Sequence, residues 1–319
     1  MLRALLIYLS RAPWAQRLVT RWPLAWRVAS RFVAGDWLED ALRVIKTFNA
    51  QGIFVTLDHL GEATTNPQEA TNATQAILDM LDAIHHERVQ ANASIKLTQI
   101  GLALDREMCT GNLRTILRKA KGYGIMMRID MEDSPWVDAT LELYEQMLAE
   151  GLDNVGVVIQ SYLYRSEQDV RRLMQRATRV RLVKGAYKEP PEIAYPRKRD
   201  VDANFDRLTR MLIEGALAHD APEVSEDGRV PPIPAIASHD ENRIAYAIEA
   251  AKALGLPKRA IEFQILYGIR RDLQRRLAAE GYPVRIYVPY GTEWYPYFMR
   301  RLAERPANLW FFVSNLFRK

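Results

Sequence analysis

The chain has one cysteine, Cys109, which excludes an internal disulfide and any cysteine-built metal cluster and fits a reducing compartment. Its five histidines, His59, His85, His86, His219 and His239, never fall at HxH or HExxH spacing, so a zinc hydrolase has no ligand set and no metal is expected. No run of eighteen apolar residues is available to cross a bilayer. Neither GxGxxG nor GxxxxGKS/T occurs, which removes the usual glycine-rich phosphate cradles. A serine or cysteine nucleophile is also unsupported, since GxSxG is missing and Cys109 has no strand-tip context.

Acidic residues are absent from the first 35 positions, which carry six arginines, Arg3, Arg11, Arg17, Arg21, Arg27 and Arg31. The net charge is +5, so the chain beyond this arm sits near −1. Interleaved with the arginines are Trp14, Trp22, Trp26, Leu5, Leu6 and Ile7. Two arrangements suit that mixture: an amphipathic segment on an anionic membrane surface, or a helical arm packed on the main domain. The apolar stretch Ala4 to Leu9 is short for a signal peptide and no small-residue cleavage site follows it, while the acid-free start also resembles an organelle transit peptide.

At 319 residues, 48% hydrophobic and 26% charged, the chain is long enough for one large α/β barrel or two average domains. Eight short segments rich in β-branched residues follow residue 50: Ile53 to Asp58, Ser94 to Thr98, Ile125 to Asp130, Val155 to Gln160, Arg181 to Lys184, Pro234 to His239, Ile261 to Leu266 and Val284 to Val288. Stretches of helical period lie between them, such as Trp136 to Ala149. Eight alternating units predict a TIM-type (β/α)8 barrel over 36–319, with residues 1–35 as the helical arm. The long interval between the fifth and sixth segments contains the proline-rich, charged stretch Ala221 to Pro234, which reads as a surface loop.

Barrel active sites sit at the C-terminal ends of the strands, and the tips here are unusually polar. They carry Asp58 and Glu62, Lys96 and Gln99, Arg128 and Asp130, Gln160, Arg181 and Lys184, His239, Gln264, and Tyr287. Barrel interiors are normally filled by Val, Ile and Leu, so the period-two pairs Arg128 with Asp130 and Arg285 with Tyr287 need partners or a polar ligand. A Schiff-base lyase or aldolase using Lys96 or Lys184 is one reading of these tips. Another is a large electron-accepting cofactor, such as a flavin, held over the mouth by cations and amides. Near the C-terminus Tyr297, Arg300, Arg301 and Glu304 share one helical face, which suits either surface ion pairs or an amino-acid ligand, with arginine forks on the carboxylate and Glu304 on the amine.

Several blocks are specific enough to carry a resemblance: LDHLGE at 57–62, SIKLTQIGL at 94–102, RIDMEDS at 128–134, VVIQSYLYR at 157–165, VRLVKGAYKEP at 180–190, ASHD at 237–240, FQILYG at 263–268, RIYVPYG at 285–291 and WYPYFMRRLAERP at 294–306. In order and spacing the chain resembles the proline dehydrogenase family, in particular its short bacterial members. The resemblance implies a distorted (β/α)8 barrel with non-covalent FAD. The implied reaction is oxidation of L-proline to Δ1-pyrroline-5-carboxylate, with hydride passing to flavin N5 and electrons to a quinone. It implies a substrate carboxylate held by Arg300, Arg301 and Lys96, Glu304 on the amine side, Tyr287 on the proline ring, and Asp130 orienting Lys96 or Tyr287. It places Gln160 and Arg181 against the isoalloxazine, and Lys184, Gly185, Tyr187 and His239 on FAD, with Gln264 joining the cofactor set. Glu62 matches the acidic partner of a gate ion pair with Arg300. Lys188 departs from the tryptophan of bifunctional relatives, and no room follows the last helix for their aldehyde dehydrogenase. A separate dehydrogenase would then take the product. The resemblance further implies a cytoplasmic enzyme peripheral to the inner face of the membrane, with no nucleic-acid partner.

Overall fold

A computed structural model of the chain describes residues 9, 12–20, 23–61 and 63–304. Eight parallel strands close into a barrel in sequence order: β1 (Phe54–His59), β2 (Ala91–Ile95), β3 (Met127–Ile129), β4 (Val155–Gln160), β5 (Val180–Val183), β6 (Pro234–Ala237), β7 (Glu262–Leu266) and β8 (Val284–Tyr290). Closure is made by β8 on β1, with Val55 opposite Ile286 and Thr56 opposite Tyr287. Around the barrel run α3 (Leu38–Asn49), α4 (Pro67–His86), α5 (Arg106–Gly122), α6 (Val137–Ala149), α7 (Ser166–Met174), α8 (Lys198–Leu217), α9 (Glu241–Leu254) and α10 (Arg271–Ala279). They are preceded by the arm helices α1 (Pro13–Thr20) and α2 (Pro23–Ala29), and α11 (Trp294–Glu304) follows β8.

Strand alternation divides the residues into two sets. One set (Val55, Leu57, Ile95, Ile129, Val157, Ile159, Leu182, Ile236, Phe263, Ile286) is fully or almost fully buried and belongs to the apolar cluster shared with the helices. The other faces the barrel axis and mixes polar side chains with Val158, Val183, Ala237 and Leu266, which line the cavity. Arg181 of β5 reaches Thr56 of β1, Ser94 of β2 and Gln264 of β7, contacts that are made only through the interior. The layers of Val, Ile and Leu that usually fill such a barrel are here largely given over to a hydrogen-bonded polar network around Arg181, Glu262 and Arg285.

Two sequence expectations change. The second strand is Ala91–Ile95 rather than 94–98, because the Ala-Asn-Ala stretch has weak strand propensity yet is fully buried between β1 and β3. Lys96 and Gln99 therefore lie on the loop after β2. The stretch expected as a surface loop instead closes the N-terminal end of the barrel. Gly228 O accepts from Arg285 Nη2 at 2.8 Å, and Arg229 donates to Tyr123 O and Ile84 O at 3.2 and 3.3 Å. Gly228 has φ +66°, and a Cβ there would fall 2.2 Å from the Phe54 ring. Positive φ and close approach both call for glycine.

The arm lies at the opposite end. Ala34 N donates to Pro289 O and Gly291 N to Gly35 O, both at 2.9 Å, which ties the arm beside the end of β8. Its residues Ala15, Ala25, Val28, Phe32 and Val33 form a second apolar cluster with Trp294, Tyr295, Phe298 and Leu302 of α11. Ring pairs Trp26 with Trp294 (5.3 Å) and Phe32 with Phe298 (6.4 Å) add directional contact. The described part of the arm thus packs on the main body, while Trp14 and Leu18, one turn apart, remain 57% and 62% exposed.

Candidate active site

The C-terminal mouth holds a cavity of about 360 Å³. Asp130, immediately past β3, is its organising acid. It accepts from Arg181 Nη1 at 2.6 Å and from the Tyr287 hydroxyl at 2.7 Å, and Lys96 Nζ lies 3.7 Å away. Lys96 also donates to both oxygens of Asp58, at 3.1 and 3.2 Å. Burial, then the charges of Asp130 and Asp58, push the Tyr287 phenol well above its ordinary pKa, so it stays a neutral donor. Its ring lies under the Arg181 guanidinium at 5.1 Å.

Arg181 Nε donates to Gln264 Oε1 at 2.5 Å, and Gln264 Nε2 donates to Glu262 Oε1 at 2.6 Å, so the amide orientation is fixed from both sides. Gln160 is fixed by donating to Glu132 O at 2.9 Å. The side-chain carboxylate of Glu132 receives Thr98 N at 3.1 Å and the Thr98 hydroxyl at 2.5 Å, which holds the loop that carries Lys96. His239 Nε2 accepts from Leu266 N at 3.1 Å, an acceptor role that places a proton of the neutral ring on Nδ1.

Lys184 follows β5 and donates to Asp202 and Asp240 at 2.5 and 2.6 Å. Asp240 also caps α9 by accepting from Asn242 N, so the helix start and the lysine are positioned together. Gly185 has φ +117°, and a Cβ there would lie 2.5 Å from the Tyr162 ring, so only glycine lets the wall bend there and continue into Ala186 and Tyr187. From above, α11 contributes Tyr297, Arg300 and Arg301, the last with its guanidinium 5.1 Å from the Tyr297 ring.

Lys96, Asp130, Tyr287, Arg300 and Arg301 therefore share one cavity with Gln160, Arg181, Lys184, Gly185, Tyr187, His239 and Gln264. Glu62 and the side chain of Glu304 lie outside the described residues. Sequence reasoning passed over Glu262, Glu132, Asp202 and Asp240. Glu262 could have been found as a carboxylate two residues before Gln264 in an apolar strand. The other three act across separations of 18 to 56 residues, which leave no local pattern. Among the described residues no group of three or more His, Cys, Asp or Glu side chains is arranged to hold a metal ion.

This fold and mouth define a class, a (β/α)8-barrel enzyme whose mouth gathers fixed cations and amides around one cavity. The family model for proline dehydrogenase matches residues 41–313. Proline dehydrogenase 1 of Bacillus subtilis (strain 168) is 38% identical over 323 residues, covering 100% of both chains. Proline dehydrogenase of Deinococcus radiodurans is 40% identical over 297 residues, covering 92% of this chain and 91% of that protein. Among solved structures, proline utilization A (PutA) from Bdellovibrio bacteriovorus inactivated by N-propargylglycine superposes with TM-score 0.78 at 27% identity, covering 88% of this chain and 33% of that one. The chain thus spans about a third of the length of that PutA. The chain belongs to the proline dehydrogenase family and is an oxidoreductase.

Proposed function

We propose that the chain oxidises L-proline to Δ1-pyrroline-5-carboxylate with non-covalently bound FAD and passes the electrons to a quinone. One observation carries the reading: Lys96, Arg300 and Arg301 border the same cavity as Arg181, Gln160 and Gln264. The first set suits the carboxylate of a small amino acid, because guanidinium forks match carboxylate geometry. The second offers donors and acceptors at fixed positions to a planar heterocycle rich in N and O, and Lys184, with two N–H bonds directed to Asp202 and Asp240, suits a phosphate with its third. The donor set thus fits a flavin nucleotide, with Gly185, Tyr187 and His239 completing its wall. A bound flavin supplies a two-electron acceptor for the hydride that leaves proline C5.

The residues contribute binding and orientation. Arg300, Arg301 and Lys96 hold the carboxylate, and the Tyr287 ring, fixed by Asp130 and Arg181, packs on the pyrrolidine, so much of the rate enhancement is positioning. Glu304 is proposed for the amine side and Glu62 as gate partner of Arg300. Asp130 is engaged by two donors and a nearby ammonium, which unfits it as a general base, and the amine proton goes to solvent. The Schiff-base reading loses support, because Lys96 and Lys184 are both ion-paired ammoniums. The product is proposed to pass to a separate dehydrogenase. We assign residues 1–35 as an arm whose exposed Trp14 and Leu18, with its arginines, make peripheral contact with the cytoplasmic face of a membrane. No helix among the described residues is long and apolar enough to cross one.

The test is anaerobic titration of the purified protein with L-proline, followed in the visible spectrum. Bleaching of a bound flavin supports the reading. A colourless protein that borohydride inactivates in the presence of substrate would return the lyase.

A further inference from the structure

Three strand arginines, Arg128, Arg181 and Arg285, occupy inward positions of the barrel with Lys96 just past β2, and three of these four cations pair with a carboxylate. Arg285 pairs with Glu262 at 2.8 Å, Arg181 with Asp130 at 2.6 Å, and Lys96 with Asp58 at 3.1 Å. The fourth, Arg128 of β3, is 1% exposed. Its Nη1 donates to two backbone carbonyls, Val157 O at 3.2 Å and Arg179 O, while Nε and Nη2 meet no acceptor among the described residues. Burial, then the Arg181 charge, pull the guanidinium down to about 9, with Glu262 and Asp130 opposing, so it is still a cation at neutral pH. Asp130, two residues further along the chain, lines the cavity, which puts Arg128 about 7 Å beneath it.

A buried charge without a counter-ion is costly, and an apolar side chain would fill the same space without that cost. A structural tie between β3, β4 and β5 needs carbonyl contacts but no positive charge. The charge itself has a use only if something nearby becomes more negative. In the reaction proposed above, on which this inference rests, the proline C5–H bond breaks, the C5=N bond forms, and the amine proton leaves to solvent. Two electrons and one hydrogen stay with the cofactor, so the cavity gains negative charge. In a poorly solvated interior that charge interacts strongly with a cation beneath it.

We propose that Arg128 is a positioning residue for the redox step: its uncompensated charge beneath the mouth favours the electron-rich state of the bound cofactor and sets how far proline drives the reduction. The carboxylate of Glu262, in the same interior, acts with opposite sign.

Equilibrium redox titration of the holoenzyme against a reference dye tests this in the wild type, Arg128→Met, Arg128→Lys and Glu262→Gln. Arg128→Met is expected to lower the equilibrium constant for flavin reduction about tenfold, equivalent to roughly 30 mV for a two-electron couple. Arg128→Lys, which retains the charge, restores most of it, and Glu262→Gln shifts the potential upward. Loosened packing would not give opposite signs for the two neutralisations. An unchanged potential in Arg128→Met, or a shift of both neutral variants in one direction, overturns the proposal. If Arg128→Met does not fold, the absence of an upward shift in Glu262→Gln overturns it. A wild-type flavin that proline cannot reduce takes down the function itself, whereas a reducible flavin with an unmoved potential removes only this inference.

Discussion

Burial decides what individual side chains can do here. Cys109 is fully buried on α5, and burial, then the Glu132 charge, push its thiol from 9.0 up to about 12. It should resist alkylation at pH 8 in the native protein and react once in denaturant, as read by intact mass. Rapid native labelling would show that the site opens. Because the unfolded thiol ionises above about pH 9 while the native one stays protonated until about 12, this group's contribution to stability falls as pH rises through that window. Arg301 is the second case. Arg301→Lys keeps the charge but loses the fork, so the KM for proline should rise tenfold or more while bound flavin per chain stays near the wild-type value. Loss of flavin with an unchanged KM would contradict the carboxylate assignment. Arg301 was legible from the face it shares with Tyr297 and Arg300, and the strand candidates from charged residues that recur at period two in strands that otherwise read as core. The pairings were not, since Arg181 with Asp130 and Lys184 with Asp240 join residues 51 and 56 apart in the chain.

Elements differ in how clearly they announce themselves. β4 matches its expected span and β7 differs by one residue at its start, because Val, Ile and Phe mark them, whereas β2 was displaced by its alanines. The 221–234 segment looked solvated because proline and charge dominate it, yet its carbonyls and Arg229 seal the barrel floor. Gly228→Ala should therefore lose about 2 kcal/mol of stability through positive φ and the clash with Phe54, seen as a lower denaturation midpoint. An unchanged midpoint would mean that the floor adjusts without cost. At the other end, α11 owes its seat to the arm. Trp26→Ala removes the ring against Trp294, so the helix carrying Arg300 and Arg301 loosens and the KM for proline should rise severalfold with flavin retained. A wild-type KM in that variant would show that α11 is held without the arm.

At the scale of the molecule, a barrel whose core against the helices is apolar encloses an interior that carries a polar network from Arg285 near the floor to Asp130 at the mouth. Stability and chemistry are thus separated onto the two faces of each strand, and that alternation made the barrel readable from sequence. The arm packs on α11 at the mouth and leaves Trp14 and Leu18 exposed. Since the arm is part of the second apolar cluster, its deletion would disturb α11, and Trp14→Ser with Leu18→Ser is the cleaner change. That double variant should float less with anionic liposomes than the wild type while retaining proline-dependent dye reduction. The proposed function turns on what occupies the cavity with the substrate. Anaerobic addition of L-proline to the purified protein, followed in the visible spectrum, decides it: a bound flavin should bleach with formation of pyrroline-5-carboxylate, and a flavin that L-proline leaves oxidised would overturn the proposed function.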